Sequence, residues 1–494
     1  MTLDLRGAAS GPLAGRLSAR YLQEHCLIPL SLETGGTLAI AAGRSLDPTV
    51  TDELSRVFEH PVRIVEVPAA EIQAALLAAV RPATESTNGR ATDAAGDLGD
   101  LRELANQAPV VQFVNVMLQD ALRAGASDVH VESTLDGVRV RFRMDGVLRE
   151  VSALGRALQS GAVSRIKLLA GLDIAERRVP QDGRARIRLA DRDVDVRVST
   201  LPGMHGESIV LRLLDHGARA RTLDELGMPP VLRDQLASVL TRPHGLVLAT
   251  GPTGSGKTTT LYAAVQLLNA PGVKVVTVED PIEYQIAGVT QVPVHRKAGL
   301  HFANALRAIL RHDPDVIMVG EMRDRETAET AIQAALTGHL VLSTLHTNDA
   351  PGGVTRLVDM GVEPYLVAAT VQALVAQRLV RLLCSHCAVD TAITSEQAQH
   401  LPAAWRNTAR HVRAPRGCEQ CAGTGYRGRT GVYELLVPSE RLRARLVEGA
   451  SLDELRTLAT ADGMTSLRES AWRLALDGVT SADEVLRVIG GNDA

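Results

Sequence analysis

The sequence predicts an α/β protein of several domains, and two patterns of apolar residues support this fold class. From Gly245 onward, apolar runs of strand length alternate with helix-length segments, as expected for a doubly wound parallel sheet. Upstream of Arg221, apolar and charged residues alternate with a period of two in several short runs, which indicates antiparallel strands. A chain of 494 residues is long enough for about three domains of roughly 150 residues each.

Composition indicates a globular protein that neither spans a membrane nor coats nucleic acid. Hydrophobic residues make up 45% and charged residues 22% of the chain, which is ordinary for a globular protein. The net charge of −4 argues against extensive nucleic-acid binding. Residues 1–12 lack the apolar core of a secretory signal. The closest approach to a membrane span, residues 362–380, is interrupted by charged and amide side chains, so we expect a cytoplasmic protein.

The chain is predicted to begin with a small α/β domain over residues 1–80 and a flexible linker over residues 81–100. The first segment has mixed helix and strand patterning and ends in a helix-like stretch at residues 71–80. The second is rich in Pro, Thr, Ser, Gly and Asp and poor in large apolar residues. That composition is typical of a mobile tether.

The next domain, predicted over residues 101–220, starts with a helix from about Leu101 to Ala124. The apolar side of this helix is expected to bury several residues, namely Val110, Val111, Phe113, Val114, Met117 and Leu118. A strand at 138–144 follows, with Asp145-Gly146 as its hairpin turn.

Arginines occupy one face of the strands in this domain. Arg139, Arg141 and Arg143 alternate with apolar residues. A second strand pair, 185–189 and 194–198, is predicted across a turn at Asp191-Arg192 and carries further arginines. Two interpretations stay open: a solvated sheet face, or a rigid surface that stabilises a neighbouring subunit's γ-phosphate.

A phosphate-binding loop opens the last domain, predicted over residues 221–494, in which residues 221–240 bridge the two halves of the chain. The run from Gly251 to Thr258, GPTGSGKT, satisfies the pattern GxxxxGK[ST] and lies between a predicted strand and a predicted helix. Its glycines let backbone amides point at phosphate oxygens, Lys257 can reach the β- and γ-phosphates, and the Thr258 hydroxyl can bind Mg²⁺. The residues expected to contact a nucleoside triphosphate are Gly251, Thr253, Gly254, Ser255, Gly256, Lys257, Thr258 and Thr259.

Acidic residues at the carboxyl ends of two predicted strands supply carboxylates for triphosphate hydrolysis. The apolar run from Val316 ends in Glu321, and the run from Val275 leads into Glu279 and Glu283. Because α/β sheets bind ligands at the carboxyl edge, Glu321 is expected beside the metal. Glu279 and Glu283 are rival candidates for polarising the attacking water.

Two histidines flank a third predicted strand, residues 340–345. His346 follows the strand and is expected at the nucleotide edge as a γ-phosphate sensor. His339 precedes it, roughly 20 Å away at about 3.3 Å per residue. We expect a structural or inter-subunit role for His339.

Four of the five cysteines form two CxxC pairs separated by 30 residues. They are Cys384, Cys387, Cys418 and Cys421. In a chain without an export signal this arrangement predicts a tetrahedral, structural Zn²⁺ site. The gap between the pairs must form a small excursion, in a subdomain spanning about residues 380–428. Cys26 stands alone and is expected in the core.

Taken together, these motifs resemble those of the secretion ATPase superfamily that drives type II secretion and type IV pili. The segments GPTGSGKTTT, VEDPIEY, LRHDPDVIMVGEMRD and LTGHLVLSTLHTNDAPGGVTRL are similar to its Walker A, Asp box, Walker B and His box, in order and spacing. The resemblance covers about residues 101–490. It implies a RecA-like ATPase domain, a preceding PAS-like α+β domain, and a homo-hexamer that hydrolyses ATP with Mg²⁺.

The resemblance also assigns four arginines by motif position. Arg184 in PQDGR, Arg197 in DVRVSTLP, and Arg307 and Arg311 in LRAILRHDPD match arginines that contact nucleotide in relatives, within a subunit or across its boundary. Surface or interface salt bridges are the alternative interpretation of these side chains.

Within the superfamily, the cysteine pairs resemble those of type II secretion ATPases of the GspE kind and of pilus-extension ATPases, whereas retraction-type relatives generally lack them. The first kind is favoured by the segment EDPIEYQIAGVTQV and the short N-terminal region. It implies a motor for pseudopilus assembly and protein export, associated peripherally with the inner membrane. Its N-terminal domain would dock on a bitopic inner-membrane protein, and the motor would act on a polytopic platform protein. Pilus extension is the alternative.

A nucleic-acid translocase is the alternative from another class. It predicts a basic channel with stacking aromatic residues, which four Phe, six Tyr and two Trp and a negative net charge disfavour. We therefore expect no nucleic acid. A silent ATP-binding regulator is disfavoured by the intact Lys257, Glu279 and Glu321. Some extension-type N-terminal domains bind a cyclic dinucleotide, but Arg16–Leu22 only partly resembles their pattern and carries no weight. Whether this N-terminal domain does so stays open.

Overall fold

The computed structural model describes residues 25–32, 36–43, 47–69, 98–189, 192–215, 221–406 and 408–490, and single positions before residue 25 and between 71 and 75. The chain divides into two compact units, residues 1–96 and 97–494. Most of the predicted linker and of the segment Arg16–Leu22 lies outside the described residues. The predicted domain limits therefore stay predictions.

The first unit contains a three-stranded sheet and a helix. Its elements are β1 (Leu27–Leu32), β2 (Leu38–Ala42), α1 (Pro48–Phe58) and β3 (Val62–Glu66). Strand β2 pairs antiparallel with β1 and parallel with β3, so α1 serves as the crossover that parallel strands require. Asp47 starts α1 by accepting the Thr49 N–H at 2.9 Å. Cys26 is buried in the core of this unit, which confirms the prediction for it.

The second unit begins with two helices where the sequence predicted one. They are α2 (Leu98–Asn106), which begins inside the predicted linker, and α3 (Ala108–Arg123). The break falls at Gln107, whose ψ is 134°, because Pro109 lies in the first turn of α3 and has no N–H to continue the preceding helix. Most of the predicted apolar side of α3 is buried, whereas Val111 and Phe113 are half-buried.

A six-stranded antiparallel sheet follows in the order β6-β5-β4-β9-β8-β7. Its strands are β4 (Asp128–Thr134), β5 (Gly137–Met144), β6 (Val147–Gly155), β7 (Gln181–Leu189), β8 (Arg192–Leu201) and β9 (Ser208–Asp215). Helices α3 and α4 (Gln159–Leu169) cover its apolar face. The predicted hairpin at Asp145-Gly146 is confirmed, with φ of 47° and 82°, and both strands of the second predicted pair are present. Of the turn predicted at Asp191-Arg192, Asp191 lies outside the described residues and Arg192 is the first residue of β8.

The bridge between the sheets contains a short 3₁₀ helix (Leu223–Leu226) and α5 (Pro230–Leu240). A seven-stranded sheet then has the order β12-β11-β13-β14-β10-β15-β18. Its strands are β10 (Gly245–Thr250), β11 (Val275–Glu279), β12 (Thr290–Pro293), β13 (Val316–Val319), β14 (Leu340–Leu345), β15 (Val371–Leu383) and β18 (Tyr426–Leu436). All neighbours are parallel except β15 and β18.

Helices cover both faces of this sheet, which confirms the predicted α/β class. They are α6 (Lys257–Leu268), α7 (Phe302–Ile309), α8 (Arg325–Leu336), α9 (Ala350–Asp359) and α10 (Pro364–Thr370). Alternate residues of each strand enter different cores: Leu246 and Leu248 belong to one cluster, Val247 and Ala249 to the other. This alternation reflects the period of two along a strand.

The stretch between the two CxxC pairs forms a small excursion, as predicted. It contains β16 (Val389–Ala392), α11 (Ser395–His400) and β17 (His411–Ala414), with β16 and β17 paired antiparallel. A layer of four helices ends the unit: α12 (Glu440–Val447), α13 (Leu452–Ala461), α14 (Leu467–Leu476) and α15 (Ala482–Ile489). Within the described residues, no helix has the length and apolar character needed to cross a bilayer.

Candidate active site

The phosphate-binding loop joins β10 to α6 at the carboxyl edge of the seven-stranded sheet. Gly251, Gly254 and Gly256 have φ of 146°, 79° and 90°, values that favour glycine. A Cβ on Gly251 would also lie 2.5 Å from the Gln377 carbonyl oxygen, so a side chain there would collide with β15. Since α6 begins at Lys257, the positive end of its dipole faces the loop.

Lys257 is 8% exposed, and its Nζ donates to the carbonyl oxygens of Gly251 at 2.7 Å and Pro252 at 3.1 Å. Burial lowers the pKa of Lys257 to about 8, against the opposing effect of Glu321 and with a contribution from Arg378. A phosphate group beside Nζ would favour the charged form. The exposed Thr258 follows in the first turn of α6.

Glu321 and His346 meet at the ends of two neighbouring strands. Strand β13 leads to Glu321 and β14 to His346, and the two strands pair in parallel. The His346 Nε2 atom lies 3.8 Å from a Glu321 carboxylate oxygen, and Arg323 Nε lies 2.6 Å from the same oxygen. Burial and the charge of Lys257 lower the pKa of His346. The edge therefore combines an ammonium group, a carboxylate and an imidazole.

His339 lies at the opposite end of β14. Its Nδ1 atom is 3.0 Å from the Ala334 carbonyl oxygen and 3.3 Å from the Thr337 hydroxyl. These contacts connect the His339 ring to the end of α8 and stabilise the turn between α8 and β14.

Glu279 is the last residue of β11 and is 2% exposed. One carboxylate oxygen accepts the Thr277 hydroxyl at 2.5 Å and the Gln291 amide at 3.1 Å, and the other accepts the Tyr262 hydroxyl. The hydrogen bond to Glu279 and, more strongly, burial raise the pKa of Tyr262. Both oxygens of Glu279 are thus engaged inside the protein.

Glu283, the rival carboxylate, is partly exposed and faces the six-stranded sheet. Its carboxylate lies 3.6 Å from Arg197 Nη2, which also donates to the Ile282 carbonyl oxygen at 3.4 Å. Two of the predicted residues, Arg197 and Glu283, are therefore in contact across the two sheets of the second unit.

Arg197 belongs to a row of charged side chains across four strands. The strand register places Arg184 opposite Arg197, Arg197 opposite Arg212, and Arg212 opposite Asp128. Asp128 accepts from Arg212 at 2.9 Å. Across these four strands the row has one carboxylate, Asp128, and beyond it the register continues to Arg143 of β5. Arg184 at the β7 end is exposed, so the sheet presents a net positive stripe beside Glu283.

Arg307 and Arg311 have partners on the surface of their own region. Arg307 Nη2 lies 2.7 Å from a Glu326 oxygen, and Arg311 Nη1 donates to the Arg307 carbonyl oxygen at 2.9 Å. Among the described residues, their hydrogen bonds and ion pairs do not join them to the phosphate-binding loop. The exposed positions of both side chains leave them accessible to another chain.

Sequence reasoning missed Gln377 and Arg378 of β15. Gln377 is buried and accepts the Thr260 hydroxyl at 2.7 Å, and Arg378 donates to the Asn348 carbonyl oxygen at 2.9 Å. A Cβ on Gly251 would lie 3.2 Å from Arg378 Nη1, so this guanidinium borders the loop. The available signal was a pair of adjacent polar residues in a mostly apolar strand of 13 residues, whose other polar residues, Gln372 and Arg381, stand singly.

The four CxxC cysteines converge as predicted, with their sulfur atoms within 4.8 Å of one another. Cys421 Sγ accepts the N–H groups of Cys418 and Gly425, each at 3.1 Å. Although burial opposes ionisation, these bonds help lower the pKa of Cys421 to about 6. Four thiol groups at this spacing suit tetrahedral Zn²⁺. Among the described residues, no other group of three or more His, Cys, Asp or Glu side chains is placed to hold a metal ion.

The fold and the loop define a P-loop ATPase: a doubly wound sheet with a complete phosphate-binding loop and, at its carboxyl edge, Glu321 and His346. Comparison with known proteins gives the family. The profile described as "Type II/IV secretion system protein" matches residues 103–487, so the chain belongs to the type II/IV secretion system protein family. A second profile, the MshEN domain, matches residues 2–85.

Named relatives agree with this assignment and with the resemblance found in the sequence. The type II secretion system ATPase E of Vibrio cholerae is 44% identical over 88% of this chain and 89% of its own length. Type II secretion system protein E of Pectobacterium carotovorum is 43% identical over 95% and 96%. The type II secretion system protein HxcR of Pseudomonas aeruginosa is 49% identical over 81% of each chain.

Solved structures support the fold. The pilus retraction motor PilT with bound ADP is 27% identical and matches with a TM-score of 0.52 over 77% of this chain and 97% of its own. The ATPase DotB of Legionella pneumophila matches with a TM-score of 0.56 over 77% and 95%, at 23% identity. The second likeness concerns the fold alone.

Proposed function

We propose that this protein is the ATP-hydrolysing motor of a type II secretion system, working as a homo-hexamer at the cytoplasmic face of the inner membrane. The observation that carries the proposal is the meeting of Lys257, Glu321 and His346 at one sheet edge, in a chain similar to type II secretion ATPases over nearly its full length. ATP hydrolysis would drive pseudopilus assembly and protein export.

In this proposal the phosphate-binding loop and Lys257 hold the triphosphate, and Thr258 binds Mg²⁺. Glu321 lies beside the metal, and His346 senses the γ-phosphate. Of the rival carboxylates, Glu283 is the better candidate for acting on water, because it is partly exposed whereas both oxygens of Glu279 are engaged. Bound Mg²⁺ would neutralise charge on the phosphates during transfer.

Two of the arginines are proposed to act within their own subunit and two on a neighbouring subunit. Arg197, with Arg184 beside it in the sheet register, faces the nucleotide edge of its own chain through Glu283. Arg307 and Arg311 are exposed and would serve a neighbouring subunit, as arginines supplied in trans do in other phosphoryl-transfer enzymes. The cysteine cluster is proposed to bind a structural Zn²⁺.

The N-terminal domain is proposed to dock on a bitopic inner-membrane protein of the secretion system, and the motor to act on a polytopic platform protein. The test mixes the full-length chain with the cytoplasmic domain of the host's bitopic secretion protein or of its pilus counterpart. We expect binding and a rise in ATPase rate with the secretion component. Glu321→Gln should abolish the rate and leave binding unchanged.

Two results would replace this proposal with an alternative. Preference for the pilus component would assign the chain to pilus extension. Stimulation of ATPase by DNA would favour the nucleic-acid translocase. A wild-type chain that shows no ATPase activity with either component or with DNA would contradict the motor function itself.

A further inference from the structure

We infer that Arg456, in the C-terminal helical layer, is a positioning residue for the loop that carries His346. The inference rests on the proposed function, because it concerns the geometry of the γ-phosphate sensor. It is supported by a continuous series of hydrogen bonds that links strand β10, the loop after β14 and helix α13.

The first hydrogen bonds of this series connect the sensor loop, which follows β14 and carries His346, to the strand before the phosphate-binding loop. The Thr347 N–H donates to the Thr250 hydroxyl at 2.8 Å, and the two threonine hydroxyls are 2.7 Å apart. Thr250 is the last residue of β10 and is 0% exposed, directly before Gly251. The backbone that follows His346 is therefore fixed against the strand that delivers the phosphate-binding loop.

The second part runs through Asp349. The Thr347 hydroxyl donates to the Asp349 carbonyl oxygen at 2.9 Å. One carboxylate oxygen of Asp349 accepts the Gly352 N–H at 2.8 Å and caps helix α9. The other accepts Arg456 Nε at 2.7 Å. Asp349 thus joins the sensor loop to the start of one helix and to a guanidinium of another.

A buried carboxylate fixes the same segment from a second side. Glu434 of β18 is 3% exposed, and its two oxygens accept the N–H groups of Ala350 at 2.7 Å and Leu467 at 3.0 Å. Ala350 follows Asp349, and Leu467 begins α14. The residues after His346 are consequently held by both α13 and α14 as well as by β10.

Arg456 is the exposed end of this network, which makes it a suitable point of perturbation. Its side chain is 44% exposed and that of Asp349 is 20% exposed. Removal of the guanidinium leaves the Asp349 cap and the Glu434 contacts intact but releases one carboxylate oxygen. A small shift of His346 would follow, and a shift of about 1 Å can lower a catalysed rate by roughly 10²-fold.

The experiment compares steady-state ATPase kinetics of full-length variants. We expect Arg456→Ala to lower kcat by about tenfold, with the dissociation constant for ATP within about twofold of wild type and an unchanged unfolding temperature. Arg456→Lys should recover most of the rate, because a cation again reaches Asp349. Arg445→Ala is the matched control, since Arg445 lies in the same layer and pairs only with the exposed Glu448 and Glu454 among the ion pairs of described residues.

Asp349→Asn keeps the inference testable if Arg456→Ala fails to fold, because asparagine is an equally good helix cap but removes the charge paired with Arg456. It should show the same loss of kcat. Wild-type kcat in either variant overturns the inference. So does an equal loss in Arg445→Ala, or a loss that follows the unfolding temperature and is not restored by lysine.

His346→Asn separates this inference from the proposed function. If His346→Asn lowers kcat and Arg456→Ala does not, only the inference is wrong. If His346→Asn hydrolyses ATP at the wild-type rate, the proposed sensor role of His346 is wrong, and the positioning of that residue by Arg456 is overturned with it.

Discussion

The carboxylates of Glu279, at the end of β11, and Glu283, which follows this strand, should respond in opposite ways to the same substitution. Glu279 is 2% exposed and receives hydrogen bonds from Tyr262, Thr277 and Gln291. Glutamine at this position replaces one acceptor oxygen with a donor NH₂ group, so at least one of these donors would face another donor. A buried donor left without an acceptor costs about 1–3 kcal/mol, and a domain of this size loses roughly 2 °C of Tm per kcal/mol. We expect Glu279→Gln to lower Tm by roughly 2–6 °C.

Glu283→Gln is the matched substitution, four residues away. The Glu283 side chain is 37% exposed and lies 3.6 Å from Arg197, and partly exposed ion pairs contribute about 0–1 kcal/mol. Its Tm should therefore change by less than about 2 °C. Because Glu283 is the candidate for acting on water, its kcat should fall by at least about 10²-fold.

Thermal unfolding and steady-state ATP hydrolysis of the two variants, measured in the same buffer, test this assignment. The informative comparison is the change in kcat for variants that are fully folded at the assay temperature. If Glu279→Gln kept the wild-type Tm and lost its activity while Glu283→Gln stayed active, the reasoning from burial and hydrogen bonding would be wrong. Glu279 would then be the carboxylate that acts on water.

Two further predictions concern the lysine and the cysteines. The pKa of Lys257 of about 8 implies that ATP affinity is constant below that pH and weakens above it by up to about tenfold per pH unit, because binding then requires proton uptake. Calorimetry in buffers of different ionisation enthalpy measures this uptake. An equal dependence of affinity on pH in Lys257→Arg would contradict the explanation. The purified chain should contain one Zn²⁺, and its Tm should fall by several degrees when a chelator removes the metal. Cys418→Ser should lack the metal, whereas the control Cys26→Ser should keep it. Metal analysis that finds no zinc in the wild-type protein would refute the site.

The carboxyl edge of the large sheet could be predicted because short-range patterns determine it. An apolar run fixes each strand, and the residue after the run must lie at the edge. This reasoning placed Glu321 and His346 at the carboxyl edge, and the structure puts them at the ends of neighbouring strands, 3.8 Å apart. The cysteine pairs were equally predictable, because two CxxC segments leave few ways to satisfy four thiolates.

The contacts that distinguish one residue from another at this edge were not predictable from the sequence. Glu279 and Glu283 look alike in the sequence, and only the packing of α6 against β11 brings Tyr262 to the first of them. The contact of Arg197 with Glu283 joins residues 86 positions apart in the sequence. No local sequence pattern predicts contacts between residues so far apart in the sequence, so both carboxylates remained candidates.

The pairing of β15 with β18 places the proposed structural Zn²⁺ site at the end of a projecting pair of strands. Thr250, at the end of β10, is opposite Ala376 of β15, yet β15 continues to Leu383. The seven further residues carry the strand roughly 23 Å beyond the nucleotide edge at about 3.3 Å per residue. Strand β18 runs beside it, with Leu383 opposite Tyr426, and the cysteines lie where these two strands meet.

This projecting pair of strands also receives the hairpin of the six-stranded sheet. The Gly428 N–H donates to one carboxylate oxygen of Asp145 at 3.0 Å, and Arg429 Nε lies 3.5 Å from the other. The sheet that bears Arg197 is therefore supported at two places, by Glu283 beside the nucleotide edge and by Gly428 and Arg429 on the projecting strands. A metal at the tip would hold β15 and β18 together where the hairpin binds, and would thereby help to fix the position of Arg197 relative to the phosphate-binding loop.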